Sequence, residues 1–189
     1  MLKILDLCSG LGGFSEAFLQ AGHDVTRIEN NPYFANVAET QIICIHDYAT
    51  SVSAGQFDVI LASPPCKEFS TAYSSPRSVA SRANPKLQYQ PDMKILETVL
   101  QIVNIVMPKW YIIENVFGSA KYFEPYVGKP KQISRPFLFY GVFPHLGSLP
   151  NHIKEDDRHS PIRSNIRAKI PLSISKKILQ AVTQQQTLF

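Results

Sequence analysis

The stretch that decides the fold is residues 6–18, which read DLCSGLGGFSEAF. A strand-like apolar run at 3–7 leads into it, the chain turns through three glycines, and a helix-like stretch at 12–22 follows. Glycines let the backbone approach a ligand closely, and a helix N-terminus favours a negative group. This order is typical of a Rossmann-like domain. Two interpretations stay open for the turn itself: a site for a nucleotide-type cofactor, or an ordinary tight connection.

Strand-like and helix-like stretches alternate beyond this turn. The further strand-like runs are 24–28, 42–45, 57–61, 110–113 and 137–140, and the further helix-like stretches are 33–40, 91–106 and 172–183. Such alternation implies parallel strands joined by right-handed crossovers. The sequence therefore predicts an α/β fold with a mostly parallel sheet and helices on both faces. Residues 67–90 read as a mobile loop, and 118–169 resist assignment apart from the run at 137–140.

Composition limits the class of protein. Of the 189 residues, 44% are apolar and 18% are charged, which is typical of a soluble globular domain, expected to span 1–189. No apolar run is long enough to cross a bilayer and no signal peptide is evident, so we expect a cytoplasmic protein without a membrane partner. The three cysteines show neither a disulfide framework nor metal-ligand spacing, so we expect no metal. A net charge of +4 is compatible with a polyanionic partner but does not require one.

Two acidic residues follow predicted strands at the edge where parallel sheets bind ligands. Glu29 ends the second strand, about 20 residues after the glycine-rich turn, where an acid commonly bonds ribose hydroxyls. Asp47 follows the third strand and could accept a hydrogen bond from an adenine amine. Each has a plainer interpretation: Glu29 as a surface residue, and Asp47 as the cap of a turn.

Two further motifs carry candidate catalytic groups. ASPPCKEFS at 62–70 places Cys66 directly after a strand, where a thiol can serve as a nucleophile if its proton is removed. IIENV at 112–116 brings Glu114 to the same edge, where a carboxyl group can bond a base or donate a proton. The plainer interpretations are a buried structural cysteine and a glutamate in a salt bridge.

Together these motifs resemble the cytosine-C5 DNA methyltransferase family. The order matches over residues 3–116: the glycine-rich turn, an acid after the second strand, an Asp after the third, PPC at 64–66 and ENV at 114–116. Residues 167–182, RAKIPLSISKKILQAV, resemble the final motifs of the family, and the similarity is greatest to short methylases of phages and prokaryotes. The resemblance implies a Rossmann-like S-adenosylmethionine-dependent methyltransferase fold, and methylation of carbon 5 of cytosine in DNA.

The resemblance also implies roles for individual residues. Cys66 would add to carbon 6 of a cytosine flipped out of the duplex, Glu114 would bond its N3 and amine, and Arg135 would assist. The residues implied to hold S-adenosylmethionine are Asp6, Cys8, Ser9, Gly10, Leu11, Gly12, Gly13, Glu29, Asn30, Asp47, Tyr48 and Pro64. The residues expected to contact DNA from the loop at 67–90 are Ser70, Arg77, Arg82 and Lys86. The plainer interpretation of that loop is a solvated basic segment.

Three departures from the family pattern leave alternatives open. Cys8 stands where the family usually has Phe, and KPKQISRPFLFYG at 129–141 has Ile133 in place of a usual first Arg, with Arg135 as the second. The recognition region, 118–169, is reduced, so a partner subunit could supply target recognition. The alternatives are a methyltransferase acting on RNA or a free pyrimidine nucleotide, and an inactive homologue that binds cofactor or DNA. A role in restriction–modification is expected, whereas the target sequence is not predicted.

Overall fold

Seven strands form one sheet in the described part of this computed structural model, which comprises residues 1–84, 86, 88–150, 157 and 159–184. The strands are β1 Lys3–Leu7, β2 Asp24–Glu29, β3 Thr40–Ile42, β4 Val59–Ala62, β5 Trp110–Val116, β6 Gln132–Ser134 and β7 Phe137–Val142. Their order across the sheet is β3-β2-β1-β4-β5-β7-β6. Strands β1 to β5 run parallel, and β7 is antiparallel to its neighbours β5 and β6. The predicted mostly parallel α/β fold is confirmed.

Helices pack on both faces of the sheet. They are α1 Glu16–Gln20, α2 Ile45–Tyr48, α3 Pro76–Ala83, α4 Lys94–Val106, α5 Ala120–Val127, α6 Arg163–Ala168 and α7 Leu172–Gln184. On one face Leu5 of β1 belongs to the same buried cluster as Val99 of α4, and on the other Ile4 clusters with Phe18 of α1 and Ile178 of α7. Successive residues of a strand point to opposite faces, so each apolar strand contributes to two cores. Within the described residues, no helix is both long and apolar enough to span a membrane.

The glycine-rich turn is longer than predicted. Helix α1 begins at Glu16 and not at residue 12, because the turn continues through Gly10 and Gly12, whose φ angles are +50° and +69°. These angles lie outside the helical region and suit glycine. The chain leaves α1 through Gly22, whose φ of +77° fits the predicted role of this residue in ending the helix.

The segment between β2 and β4 also differs from prediction. In place of a helix at 33–40 there is a 3-10 helix at Pro32–Phe34, which begins where the Asn31 side chain accepts a bond from the Tyr33 N–H. The chain continues to β3 through turns held by isolated bonds such as Val37 N–H to the Phe34 carbonyl. The third strand lies at Thr40–Ile42, earlier than the predicted 42–45, and the chain enters α2 directly afterwards.

The described part of 67–90 contains α3, where the sequence predicts a loop. Pro76 occupies the first turn of this helix, and the Ser75 hydroxyl caps it by accepting a bond from the Ser78 N–H. The range 118–169 contains α5, β6, β7 and α6, with residues 151–156 and 158 outside the described part. Whether 118–169 acts as a recognition region, and whether 1–189 is one domain, stay predictions.

A buried arginine ties the glycine-rich turn to β2. Arg27 is 1% exposed; its Nε donates to Ser15 Oγ at 2.9 Å and its Nη2 donates to the Gly12 carbonyl at 2.9 Å. Nη2 also contacts Glu16 Oε2 at 3.0 Å, and Nη1 donates to the Ala38 carbonyl at 2.9 Å. A buried charge is tolerated only when it is paired and hydrogen-bonded, and the planar guanidinium satisfies several acceptors at once. Arg27 therefore fixes the turn, α1 and the approach to β3 together.

We expect Arg27→Lys to lower the free energy of unfolding by about 3 kcal/mol, because an ammonium cannot replace the fork of donors and leaves buried acceptors unsatisfied. Urea unfolding followed by circular dichroism measures this loss. The matched control is Arg82→Lys on an exposed helix position, which should change stability by less than about 0.5 kcal/mol. Equal stability losses in the two variants would contradict the structural role of Arg27.

Candidate active site

The carboxyl ends of four parallel strands align the candidate residues. The last paired row across these strands is Leu7, Ile28, Ala62 and Ile113. The next residues of the four strands are Cys8, Glu29, Ser63 and Glu114. The register therefore brings the glycine-rich turn, the acid after β2, the Pro64–Cys66 segment and Glu114 to one rim, as predicted for ligand binding in parallel sheets.

Glu29 holds the glycine-rich turn through backbone bonds. Its Oε2 accepts the Gly10 N–H at 2.8 Å, and its Oε1 accepts the N–H groups of Asn30 and Asn31 at 3.0 Å each. The residue is 9% exposed. A carboxylate has about four acceptor positions, so Glu29 keeps about one for a ligand hydroxyl. Glu29 thus has a structural role in this turn, and its cofactor role stays a prediction.

Two buried hydroxyls at the rim have no hydrogen-bond partner. They are the Oγ atoms of Ser9 after β1 and Ser63 after β4. These strands are adjacent at the point where strand order reverses, which is where open α/β sheets bind ligands. Because a buried polar atom without a partner is costly, the pair fits a polar cofactor that would supply the missing bonds. Around Gly10, the space that a side chain would occupy is open as well.

Two other predicted cofactor residues, Asp6 and Gly13, make contacts that support the glycine-rich turn. Asp6 is fully buried and accepts a bond from Ser15 Oγ at 2.6 Å, and burial raises the pKa of its carboxyl to about 6. A Cβ on Gly13 would lie 2.4 Å from the Ile170 carbonyl, so Gly13 allows the chain before α7 to pack on the turn. The Ser175 hydroxyl of α7 donates to the Phe14 carbonyl at 2.7 Å and completes this contact.

Cys8 differs chemically from Cys66. It has a φ of +57°, unusual for a residue with a side chain, and burial is the main cause that raises the pKa of its thiol. A thiol held neutral is a poor nucleophile. Cys8 is therefore a poor candidate for a nucleophile, and the roles of Cys8 and Cys66 stay predictions.

The remaining predicted cofactor residues differ in exposure. Asp47 and Asn30 are exposed, and Leu11 is half-buried. Tyr48 is 7% exposed within the hydrophobic core, where burial raises the pKa of its phenol. Asp47 follows β3, as the sequence predicts, and lies within α2, which begins at Ile45.

A buried amide connects the Cys66 segment to β5. Asn115 has no exposed surface; its Nδ2 donates to the Pro64 carbonyl at 2.9 Å and its Oδ1 accepts the Val116 N–H at 2.9 Å. The carbonyl of Cys66 accepts the N–H groups of Phe69 and Ser70, which closes a tight turn after the cysteine. The hydrogen bond between Asn115 and Pro64 therefore holds the segment with the Cys66 thiol beside the strand with the Glu114 carboxyl group.

Arg135 reaches the rim from the antiparallel strand. Val116 at the end of β5 pairs with Phe137 at the start of β7, so residues preceding β7 lie beside those following β5. The Arg135 guanidinium lies 5.6 Å from the centre of the Phe117 ring. The structure thus brings Arg135 to the side of the rim that carries Glu114.

The predicted DNA-contacting residues of the loop at 67–90 differ in exposure and in contacts. Arg77 is half-buried, with Nη1 3.5 Å from the Gly118 carbonyl and its guanidinium over the Tyr122 ring, so it anchors α3 to the turn after β5. Arg82 and Lys86 are exposed, and Arg82 lies over the Tyr73 ring at 3.8 Å. Ser70 Oγ accepts the N–H of Ala72, two residues on.

Sequence reasoning did not find several residues that build the rim. Ser63 and Gly118 stand in or beside quoted motifs, but their roles depend on contacts with a neighbouring strand or turn. The ENV motif places Asn115 at the rim, and the structure adds its bond to Pro64. Arg27 lies in a predicted strand and Ser175 in the quoted stretch 167–182, but no local pattern distinguishes a buried arginine or serine from a surface one. Within the described residues, no three His, Cys, Asp or Glu side chains cluster as a metal site would require.

This strand order, with a glycine-rich turn and an acid facing a thiol and a carboxyl group, defines a Rossmann-like protein of the methyltransferase type. A family model described as C-5 cytosine-specific DNA methylase matches residues 2–122. The chain belongs to the C-5 cytosine-specific DNA methylase family, and the resemblance predicted from the motifs is confirmed.

Individual relatives agree with this assignment. The chain is 29% identical over 129 residues to the type II methyltransferase M1.HphI of Haemophilus parahaemolyticus, covering 61% of this chain and 32% of that protein. It is 30% identical over 125 residues to M.HgiGI of Herpetosiphon aurantiacus, covering 61% of this chain and 90% of the relative. It is also 29% identical over 128 residues to the human tRNA (cytosine(38)-C(5))-methyltransferase, covering 62% of this chain and 31% of that enzyme.

We expect Asn115→Asp to lower the free energy of unfolding by about 3 kcal/mol, because a buried carboxylate oxygen would face the Pro64 carbonyl in place of an N–H donor. The matched control is Asn104→Asp on the exposed side of α4, which makes the same chemical change in solvent. Chemical unfolding of both variants at neutral pH measures the difference. A loss no greater than that of the control would show that the Asn115 amide does not lock the two segments.

Proposed function

We propose that this protein transfers a methyl group from S-adenosylmethionine to carbon 5 of cytosine in DNA, through a covalent adduct with Cys66. The observation that carries the proposal is the juxtaposition at the rim: Cys66 follows β4, Glu114 lies on adjacent β5, and the Asn115–Pro64 bond joins the two segments. Membership of the C-5 cytosine-specific DNA methylase family supports the reaction class.

The cofactor side of the rim would be formed by the turn after β1 and by Glu29. Backbone groups of Ser9 to Gly13 and the one remaining acceptor of Glu29 would bind S-adenosylmethionine, and the orphaned hydroxyls of Ser9 and Ser63 would gain partners. Asp6, by its burial, would act by shaping the turn. S-adenosylmethionine supplies the methyl group as an electrophilic substituent of a sulfonium.

Carbon 5 of cytosine is by itself too weak a nucleophile to take the methyl group. A thiolate that adds to carbon 6 makes carbon 5 more nucleophilic. The Cys66 thiol loses its proton, and the sulfur electron pair forms a bond to carbon 6. The protonated carboxyl group of Glu114, 7% exposed, would donate to ring N3 and accept from the exocyclic amine, and so would stabilise the negative charge that appears on the ring as sulfur adds. Carbon 5 would then form a bond to the methyl carbon as the bond between methyl and sulfonium breaks, which leaves demethylated cofactor. A base would remove the carbon 5 proton, and the bond between carbon 6 and sulfur would break with its electron pair returning to Cys66, which restores the aromatic ring.

A cytosine within a duplex cannot reach this rim, so the base must flip out of the stack. Arg135 and the basic residues after Cys66 would border the opening, where phosphates of the displaced strand would pass. Arg82 and Lys86 are exposed and suited to phosphate contacts, whereas Arg77 mainly supports α3. The cytoplasmic location and a partner subunit for target recognition stay predictions.

RNA is the second candidate substrate. The observation that favours it is the similarity to a human enzyme named as a tRNA (cytosine(38)-C(5))-methyltransferase. Transfer from labelled cofactor to DNA and to RNA in parallel distinguishes the two substrates: label in RNA alone would replace the DNA proposal.

We expect a covalent complex between the protein and DNA containing 5-fluorocytosine when cofactor is present, because fluorine at carbon 5 cannot leave as a proton. Denaturing electrophoresis and mass spectrometry detect it. Cys66→Ser should form no complex, whereas the matched control Cys44→Ser, which changes another partly buried cysteine, should form it at the normal level. A complex that persists in Cys66→Ser, or none in the wild-type protein despite cofactor binding, would contradict the mechanism.

We expect Glu114→Gln to keep cofactor affinity and to slow methyl transfer on the order of 10²–10³-fold, because an amide stabilises the developing charge less well. Single-turnover transfer of labelled methyl groups measures the rate, and calorimetry measures cofactor binding. Glu124→Gln on the exposed side of α5 is the matched control and should react normally. A near-normal rate in Glu114→Gln would remove this carboxyl group from the mechanism.

A further inference from the structure

A hollow of about 350 Å³ opens at the edge of the rim, lined by Phe117, Arg135 and Pro136. It lies directly beyond the last pair of β5 and β7, Val116 with Phe137. Phe117 follows Glu114 by three residues along the chain. The hollow therefore borders the position assigned to the target base without containing Cys66 or Glu114.

The lining combines an aromatic face with a fixed positive charge. The Phe117 side chain is 45% exposed, although most Phe side chains of this fold are buried in its core. The Arg135 guanidinium carbon lies 5.6 Å from the ring centre. Aromatic rings and guanidinium planes are the groups on which unpaired or displaced bases stack, and arginine also contacts the neighbouring phosphate.

The turn that presents Phe117 is held in place on both sides. A Cβ on Gly118 would lie 1.9 Å from the Phe69 carbonyl, so the turn packs directly on the segment that follows Cys66. The Ser119 hydroxyl donates to the Val116 carbonyl at 2.7 Å. A ring carried on such a turn is positioned before any ligand binds, and it loses little conformational entropy on binding.

We propose that Phe117, with Arg135 beside it, forms a stacking platform for the nucleobase next to the flipped cytosine in the same DNA strand. This inference rests on the proposed function, because it takes its position from the target base between Cys66 and Glu114. Flipping leaves the neighbouring base without a stacking partner on one face, and the exposed ring offers a replacement. Phe117 would thus act in substrate positioning, and the methyl transfer itself would not depend on its chemistry.

The test is a double-mutant cycle between Phe117 and the neighbouring bases. The cytosine that the wild-type protein methylates in plasmid DNA is first located by methylation-sensitive sequencing. Duplexes around it are then made intact, or with an abasic site at the 5′ or the 3′ neighbour. DNA affinity is measured for wild type, Phe117→Ala, Phe117→Leu and Phe117→Tyr, with Val142→Ala as a matched control at another half-exposed apolar residue.

We expect Phe117→Ala and Phe117→Leu to weaken binding of the intact duplex roughly 10-fold or more, with Phe117→Tyr close to wild type. The abasic site at one neighbour should remove the difference between wild type and these variants. Equal weakening on intact and both abasic duplexes, or no weakening at all, would overturn the platform. Phe117→Leu keeps most of the side-chain volume, so the cycle remains informative if Phe117→Ala unfolds.

The 5-fluorocytosine complex separates this inference from the reaction itself. Wild-type protein that forms the complex but shows no coupling between Phe117 and either neighbour would overturn the platform alone. Wild-type protein that forms no complex on any DNA would count against the proposed function, and the platform would fall with it.

Discussion

The parallel register of β1, β2, β4 and β5 is the constraint on which the candidate site depends. Because Leu7, Ile28, Ala62 and Ile113 pair in one row across the four strands, the residues that follow them, Cys8, Glu29, Ser63 and Glu114, also form a row, although 106 positions separate the first from the last. A shift of one residue in any strand would turn its side chains to the opposite face. The strands are buried on both faces, above all VILA in β4, so the sheet that carries this row lies between two hydrophobic cores.

The register brings the segments of the rim together, and polar contacts then fix their backbone positions. Arg27 binds the glycine-rich turn from below, Glu29 binds it from the rim, and Asn115 joins the Pro64 backbone to β5. Each of these three side chains hydrogen-bonds buried polar groups in place of water. Such bonds require particular distances and directions, which apolar packing does not. The rim therefore has two kinds of residue: those that would touch ligands, and those that hold the ligand-binding backbone in position.

The sequence predicts every strand except β6, with β3 earlier than expected, and it brings the Cys66 and Glu114 motifs to one rim, because apolar runs and the PPC and ENV motifs are local signals. It does not predict Arg27, whose role depends on four contacts from separate segments, or α3, whose polar composition resembles a loop. For Arg27, contacts between separate segments decide which of several local alternatives forms, whereas the Ser75 cap and Pro76 of α3 are local signals within a polar stretch. The cofactor and DNA roles of individual residues stay predictions.

The claim that thiol, carboxyl group and cofactor-binding turn converge on one pyrimidine is tested most directly by a crystal structure of the protein bound to 5-fluorocytosine DNA after methyl transfer. We predict electron density joining the Cys66 sulfur to carbon 6 of an extruded cytosine, Glu114 within hydrogen-bond distance of its N3, and demethylated cofactor against Ser9 and Ser63. A cytosine that stays stacked in the duplex, or one bound with the Cys66 thiol facing away from the Glu114 carboxyl group, would contradict it.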